Sequence, residues 1–329
     1  MKMEKCTIII PVYNTSIKLL QACVNSANMQ DYPNIEILLV DDGSTAEETI
    51  NYMNELSNRN IDRLHIINIK NSGPSVARYE GALKARGHYI TFLDSDDIIA
   101  PTMISTLASM MDERCDLACV DEQSVADIAA IEYKEGDISY AEWREILGGE
   151  KLLQGLYGLS DEPRWYNLHG EIFKRNAFLE RVHSYKDIRM GEDRLTNAEY
   201  LANPQTRVRI CQKPLYYYMT GNMESVTHKP GVKSMTLAFA MDRQCELCQH
   251  YGYETIIPTA ERMVAECIIS AFSVGAKNGQ LYKQIVSPYA ELARKYKKSL
   301  KLGRSNKIKF FFILYFPRTY YLILRILKR

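Results

Sequence analysis

Within the first hundred residues, three apolar runs each stop at polar or acidic residues, and this pattern constrains the fold more than any other feature of the chain. Residues 6–13 are apolar and β-branched and leave through Pro11, residues 35–40 end at Asp41-Asp42-Gly43-Ser44, and residues 88–93 end at Asp94-Ser95-Asp96-Asp97. Helical spacing fills the gaps. Ser16 can cap a helix in which Leu19, Leu20, Cys23, Val24 and Ala27 recur, Ser44 or Thr45 starts another through Glu55, and residues 64–69 and 75–85 supply a third strand and helix. Continuous apolar strands alternating with helices predict an α/β chain with a mostly parallel central sheet covered on both faces. Ligands of such sheets bind beyond the carboxyl ends of the strands. The polar clusters at 13–14, 41–44 and 94–97 all fall at such ends.

Further along the pattern loosens. Residues 116–120 read as a strand, 140–147 as a helix, and 165–182 as a strand and short helix running up to Gly191-Glu192-Asp193. Long helical patterns at 232–250 and 258–276 predict a helical carboxyl-terminal unit. The expected organisation is a catalytic domain over 1–215, divided at 115 into nucleotide and acceptor portions, then a helical unit to 300 and a tail over 301–329. The eight cysteines are scattered among apolar residues, as reduced cytosolic cysteines are, and neither close pair has the partners for a structural zinc. The amino terminus runs directly into a strand pattern with no signal peptide, which predicts a cytoplasmic chain.

Acids clustered at one strand end repel each other and desolvate badly, and a divalent cation is the usual remedy. Asp94 and Asp96, one residue apart, can turn to one side and offer the oxygen ligands that Mg²⁺ and Mn²⁺ prefer, with a diphosphate and water completing the shell. An isolated D-x-D is more often a turn and helix cap. Here it has company: Asp41 and Asp42 at another strand end, and Asn71-x-Gly73-x-x-x-Ala77-Arg78 between, where a glycine permits close approach and an arginine can answer phosphate charge.

Residues 6–99 resemble the family 2 glycosyltransferases of GT-A fold through several motifs in order. Pro11-Val12-Tyr13-Asn14 is similar to the opening segment that lies against the nucleotide, and Val40-Asp41-Asp42-Gly43-Ser44-Thr45 to the strand end where Asp42 would accept from the base. Asn71 to Arg78, with Gly81 beyond, resembles the stretch that flanks the donor. Phe92-Leu93-Asp94-Ser95-Asp96-Asp97 resembles the family's F-L-D-S-D-D, which implies that Asp94 meets the ribose or metal shell and Asp96 ligates the cation. Gly191-Glu192-Asp193 resembles its E-D pair and implies Asp193 as general base with Glu192 beside it. Trp165, His169 and Glu171 are assigned to the acceptor side, and His228 is a further candidate for metal or diphosphate. Two positions depart from the pattern: Glu171 stands where relatives often have lysine, and Met219 where they often have arginine.

The resemblance implies inverting, metal-dependent transfer from a UDP-sugar to a lipid-linked or surface-glycan acceptor. A nucleotidylyltransferase would want a basic, glycine-rich loop after the first strand, and Tyr13-Asn14-Thr15-Ser16 lacks one. A non-catalytic sugar-binding subunit is the other alternative, suggested by Glu171 and Met219. After Glu291 there is no acidic residue, while 12 of the 41 basic residues lie there, leaving 29 against 40 acidic ones in the body. A basic tail with aromatics could suit single-stranded nucleic acid, but its apolar runs at 310–316 and 320–324 point instead to an anionic membrane surface. The longer run has seven residues against the ~20 that a spanning helix needs, so peripheral attachment to the inner face is expected. A homodimer is the oligomeric state that base rates favour.

Overall fold

The computed structural model describes residues 3–59, 61–131, 142–220, 232–277, 282–297 and 301–327. Candidate residue His228 lies outside them. The chain forms two compact units, one of Met1–Gly148, Asn167–Lys186 and Gln205–Glu224, the other of Gly149–Tyr166, Asp187–Pro204 and Ser225–Arg329. They are not consecutive segments. Residues 149–166 and 187–204, inside the stretch expected to be catalytic, belong with the carboxyl-terminal helices.

Among the described residues the first unit is built on a nine-stranded sheet. Strands β1 (Cys6–Val12), β2 (Ile35–Asp41), β3 (Leu64–Asn68) and β4 (Tyr89–Phe92) form its parallel half in the order β3-β2-β1-β4. Ile8, Ile9, Ile10 and Val12 are all fully buried, so β1 is covered on both faces, as its unbroken apolar run requires. The connecting helices are α1 (Ile17–Asn28), α2 (Glu47–Asn58) and α3 (Pro74–Lys84). In α1 Leu20, Cys23, Val24 and Ala27 form the buried stripe. Helix α3 lies so close to the sheet that a Cβ on Gly81 would stand 2.5 Å from Ile9 Cγ2, and only glycine fits there.

Beyond β4 the sheet becomes mixed. Strands β5 (Ile98–Ile99), β6 (Leu117–Val125), β7 (Trp143–Leu147), β8 (Glu171–Lys174) and β9 (Arg207–Met219) continue it in the order β4-β8-β6-β9-β5, with β7 on β9. Helices α4 (Met103–Ser109) and α6 (Arg175–Arg181) flank this half. The helix expected over 140–147 is corrected: residues 143–147 form β7, antiparallel to β9. Ile146 is its one buried residue, Trp143 and Leu147 face solvent, and the pairing with β9 rather than any apolar period defines it as a strand.

The second unit is helical: α5 (Gly149–Leu156), α7 (Glu192–Leu201), α8 (Leu237–Tyr251), α9 (Ile257–Lys277), α10 (Tyr282–Lys295), α11 (Arg304–Tyr315) and α12 (Pro317–Leu327). Helix α9 is its core, burying Val264, Ile268 and Phe272. Pro317 separates the last two helices because its ring suits the first helical position and denies α11 a continuation. Phe310, Ile313, Tyr320 and Tyr321 are buried, while Phe311, Tyr315, Ile326 and Leu327 are exposed. No helix of the described residues is long and apolar enough to cross a membrane.

Candidate functional site

The loops leaving β1, β2, β3 and β4 meet at the carboxyl end of the parallel half, tied together by side chains. Asn14, in the left-handed region at φ 50°, accepts from the N–H groups of Thr45 (2.7 Å) and Ala46 (2.9 Å). It therefore satisfies the entry to α2, which begins at Glu47, so neither Ser44 nor Thr45 is the cap. Asp42 accepts from Ser72 N–H (2.6 Å) and Gly73 N–H (2.8 Å), and Thr15 and Ser95 share a hydroxyl–hydroxyl bond of 2.6 Å. Gly73 has φ 97°, a conformation glycine adopts freely and which turns the chain into α3. Pro11 and Val12 end β1, and Tyr13 and Asn71 are exposed at the rim. The donor-side candidates are thus on adjoining strand ends.

At the exit of β4 the chain turns tightly, Asp97 N–H donating to Asp94 O at 3.0 Å. Arg78 of α3 donates to Asp94 Oδ1 at 2.7 Å. His169 Nε2 stands 3.4 Å from Asp94 Oδ2 and 3.9 Å from Asp97 Oδ2, and Nδ1 lies 2.6 Å from Glu122 Oε2. The imidazole stacks on Tyr216 (centroids 4.5 Å apart, 5° between planes) and is near-parallel to Tyr218. Asp97 is 1 % exposed and accepts from Tyr216 Oη–H at 2.7 Å and Met219 N–H at 2.8 Å. The Met219 backbone therefore has a place beside Asp97.

These contacts set the charges. Burial alone would raise the Asp94 carboxyl, but Arg78 and His169 hold it well below the usual carboxylate range. Burial, then the neighbouring Asp94 charge, pushes Asp97 up to about 7. Burial disfavours an imidazolium at His169, yet its bonds to Asp94 and Glu122 raise it well above the usual histidine value. Ligand atoms of Asp94, Asp97 and His169 all lie within 4.8 Å of one another. Two carboxylates with an imidazole fit a divalent cation, and the nitrogen donor favours Mn²⁺ over Mg²⁺.

Sequence reasoning missed Asp97 and Glu122 and assigned His169 to the acceptor side. The i,i+3 spacing of Asp94 and Asp97 within F-L-D-S-D-D was the available signal. Asp96, half-buried, is not in the three-residue group, although its charge also raises Asp97. Glu171 is a buried side chain of β8 between β4 and β6, so it offers no surface to an acceptor. In the second unit, Glu192 and Asp193 open α7, and Trp165 is buried with φ 46°.

The glycosyl transferase family 2 model matches residues 7–152. Glycosyltransferase GlyA of Streptococcus pneumoniae serotype 4 is 28% identical over 293 residues, covering 85% of this chain but only 40% of GlyA. The chain thus spans less than half the length of that relative. Among solved structures, S. aureus TarS 1–349 in complex with UDP-GlcNAc superposes with a TM-score of 0.60 at 18% identity, over 98% of this chain and 89% of that one. The mannosyltransferase PcManGT from Pyrobaculum calidifontis, in complex with GDP-Man and Mn²⁺, gives 0.52 at 15% identity, over 98% and 86%. The GT-A fold is shown by these likenesses.

Proposed function

We propose that the chain, whose residues 7–152 match the glycosyl transferase family 2 model, is an inverting, metal-dependent glycosyltransferase that takes a nucleotide-sugar, a UDP-sugar by preference, and passes its sugar to a hydroxyl of a lipid-linked or surface glycan. The observation that carries this reading is the placement of Asp94 between Arg78 and His169, with Asp97 beside it, at the carboxyl end of the parallel strands. The nucleotide-sugars held by both structural neighbours, and the Mn²⁺ in one, support it.

In this reading Asp94, Asp97 and His169, with Asp96 as a further candidate, hold Mn²⁺ or Mg²⁺. When bound, the cation offsets the negative charge that grows on the departing diphosphate. Arg78 keeps Asp94 ionised and aimed, and Asn14, Asp42 and Asn71 shape the nucleotide side. Asp193 removes the proton from the acceptor hydroxyl as that oxygen attacks the anomeric carbon opposite the leaving group, with Glu192 next to it on α7. No protein nucleophile is needed.

The tail supports a peripheral membrane role. Helices α11 and α12 each bury one face and leave apolar residues such as Phe311, Tyr315, Leu322 and Ile326 in solvent, among exposed Lys307, Lys309, Arg318 and Arg325. Such a surface suits an anionic headgroup boundary. The deciding experiment is a screen of nucleotide-sugars for released nucleotide with Mn²⁺ and with Mg²⁺. Cation-dependent release from one donor class is expected, and no release from any nucleotide-sugar overturns the reading.

A further inference from the structure

A second aromatic and charged cluster, wholly within the helical unit, surrounds the first turn of α7. Arg194 directly follows Asp193 and is only 7 % exposed. Its Nε donates to Gln244 Oε1 at 2.9 Å, and its Nη2 is buried without a hydrogen-bond acceptor. No carboxylate faces it among the described residues. Taking a permanent cation out of water costs several kcal/mol, on the order given for buried ions, unless something compensates. Two aromatic faces do so here, with the guanidinium carbon 5.0 Å from the ring centroids of both Tyr157 and Tyr166.

The two rings differ in one respect. Tyr157 is buried, whereas Tyr166 is 47 % exposed. One face of Tyr166 is turned to Arg194, and nearly half of the residue's surface remains open to solvent. The preceding Trp165 is buried at φ 46°, a left-handed backbone that a bulky aromatic rarely adopts. Its carbonyl accepts from Asn197 Nδ2 of α7 at 3.3 Å. Helix α7 thus grips both residues, Trp165 by its carbonyl and Tyr166 by its ring. The strained turn sends one aromatic inward and the next outward.

We propose that Tyr166 is a stacking platform for a pyranose ring of the acceptor, and that Arg194 is the residue that positions it. The assignment rests on the glycosyltransferase reading above and deepens it. A tyrosine fixed from beneath gives a large contact with both apolar and polar character and has little freedom left to lose when a sugar lands. The C–H face of a pyranose is the apolar surface that matches it. Arg194 and the proposed base Asp193 share one helical turn, so the residue that positions the platform and the base are carried by the same short element.

The test uses the full-length protein on an array of pyranosyl oligosaccharides and bacterial surface-polysaccharide fragments. Wild-type protein is expected to bind a subset of these, Tyr166→Ala to bind the same subset about tenfold more weakly, and Tyr166→Phe to stay within about twofold because the ring is retained. Arg194→Met should weaken binding when Tyr166 is present and add nothing in the Tyr166→Ala background, a coupling that a purely structural role would not show. Equal binding by wild type and Tyr166→Ala, no binding to any probe by wild type, or an equal Arg194→Met effect in both backgrounds overturns the platform. Nucleotide release by the wild-type protein is measured alongside. Its absence defeats the glycosyltransferase reading, whereas its presence with unaltered Tyr166→Ala binding defeats the platform alone.

Discussion

Asp42 is the residue whose replacement most directly tests how the nucleotide side is held. Its carboxylate is 4 % exposed and each oxygen takes one backbone N–H, from Ser72 and from Gly73. Those two residues lead into α3, which carries Arg78 to Asp94. In Asp42→Asn one oxygen remains, while the amide NH₂ confronts the second N–H. One charge-assisted bond is lost, worth about 1.5–3 kcal/mol, and a buried donor is left unmade at about 1–3 kcal/mol. The two costs overlap, so a total of roughly 2–4 kcal/mol is expected, first as local opening of the 70–74 loop. By the factor of ten per 1.4 kcal/mol, amide exchange at Ser72 and Gly73 should accelerate roughly 30- to 1,000-fold. Hydrogen exchange read by mass spectrometry on a peptide spanning 68–78 measures it, with β1 peptides as the internal control. Donor affinity should fall with it, because Asn71 and Arg78 flank that loop. Exchange changed by less than about threefold would refute the pinning argument and leave Asp42 only a contact with the base.

The proposed metal site makes a separate prediction: His169→Ala should weaken Mn²⁺-dependent nucleotide binding by about 10- to 100-fold in calorimetry. Asp96→Ala and Asp97→Asn run in parallel show which carboxylate shares the ion, and unchanged affinity in His169→Ala removes the histidine. Asp193→Asn should lower transfer by about 10²- to 10⁴-fold while nucleotide affinity holds, and near-normal turnover would take the base role from it. Full-length protein should cosediment with anionic vesicles at low salt, and Leu322→Asp/Ile326→Asp should not; equal cosedimentation of the two would sink the membrane reading. Glu36 gives the pH dependence: burial would raise its carboxyl, but Arg86 N–H, the Thr7 hydroxyl and the Arg86 guanidinium lower it below the usual value. Its folded value is below the unfolded one, so its contribution is complete above the ordinary carboxylate range and disappears as pH falls through the folded value. Glu36→Gln should flatten the acid limb of the urea midpoint against pH, and an unaltered limb would exclude the group.

How much of this was legible in the sequence depended on how local the deciding physics is. Strands β1 and β2 could be read because burial on both faces demands unbroken apolar runs, and α1 because one stripe of Leu20, Cys23, Val24 and Ala27 faces the sheet. Strand β7 could not be, since five residues with a single buried position, Ile146, hold too little periodicity to separate strand from helix. The allotment of 149–166 and 187–204 to the helical unit depends on tertiary contacts such as Arg194 with Gln244, which no local pattern encodes. The acidic motif shows the sharpest limit. Pairing Asp94 with Asp96 rests on their one-residue separation at a strand exit, and the structure adds that β4 ends at Phe92 and the chain then turns. In that turn Asp97 N–H reaches back to Asp94 O, so the i,i+3 pair converges on His169, which arrives from a loop 72 positions beyond Asp97. Once a strand has ended, the spacing of its acids has to be judged by the geometry of the exit, and the residue that faces them can come from any loop that the fold brings alongside.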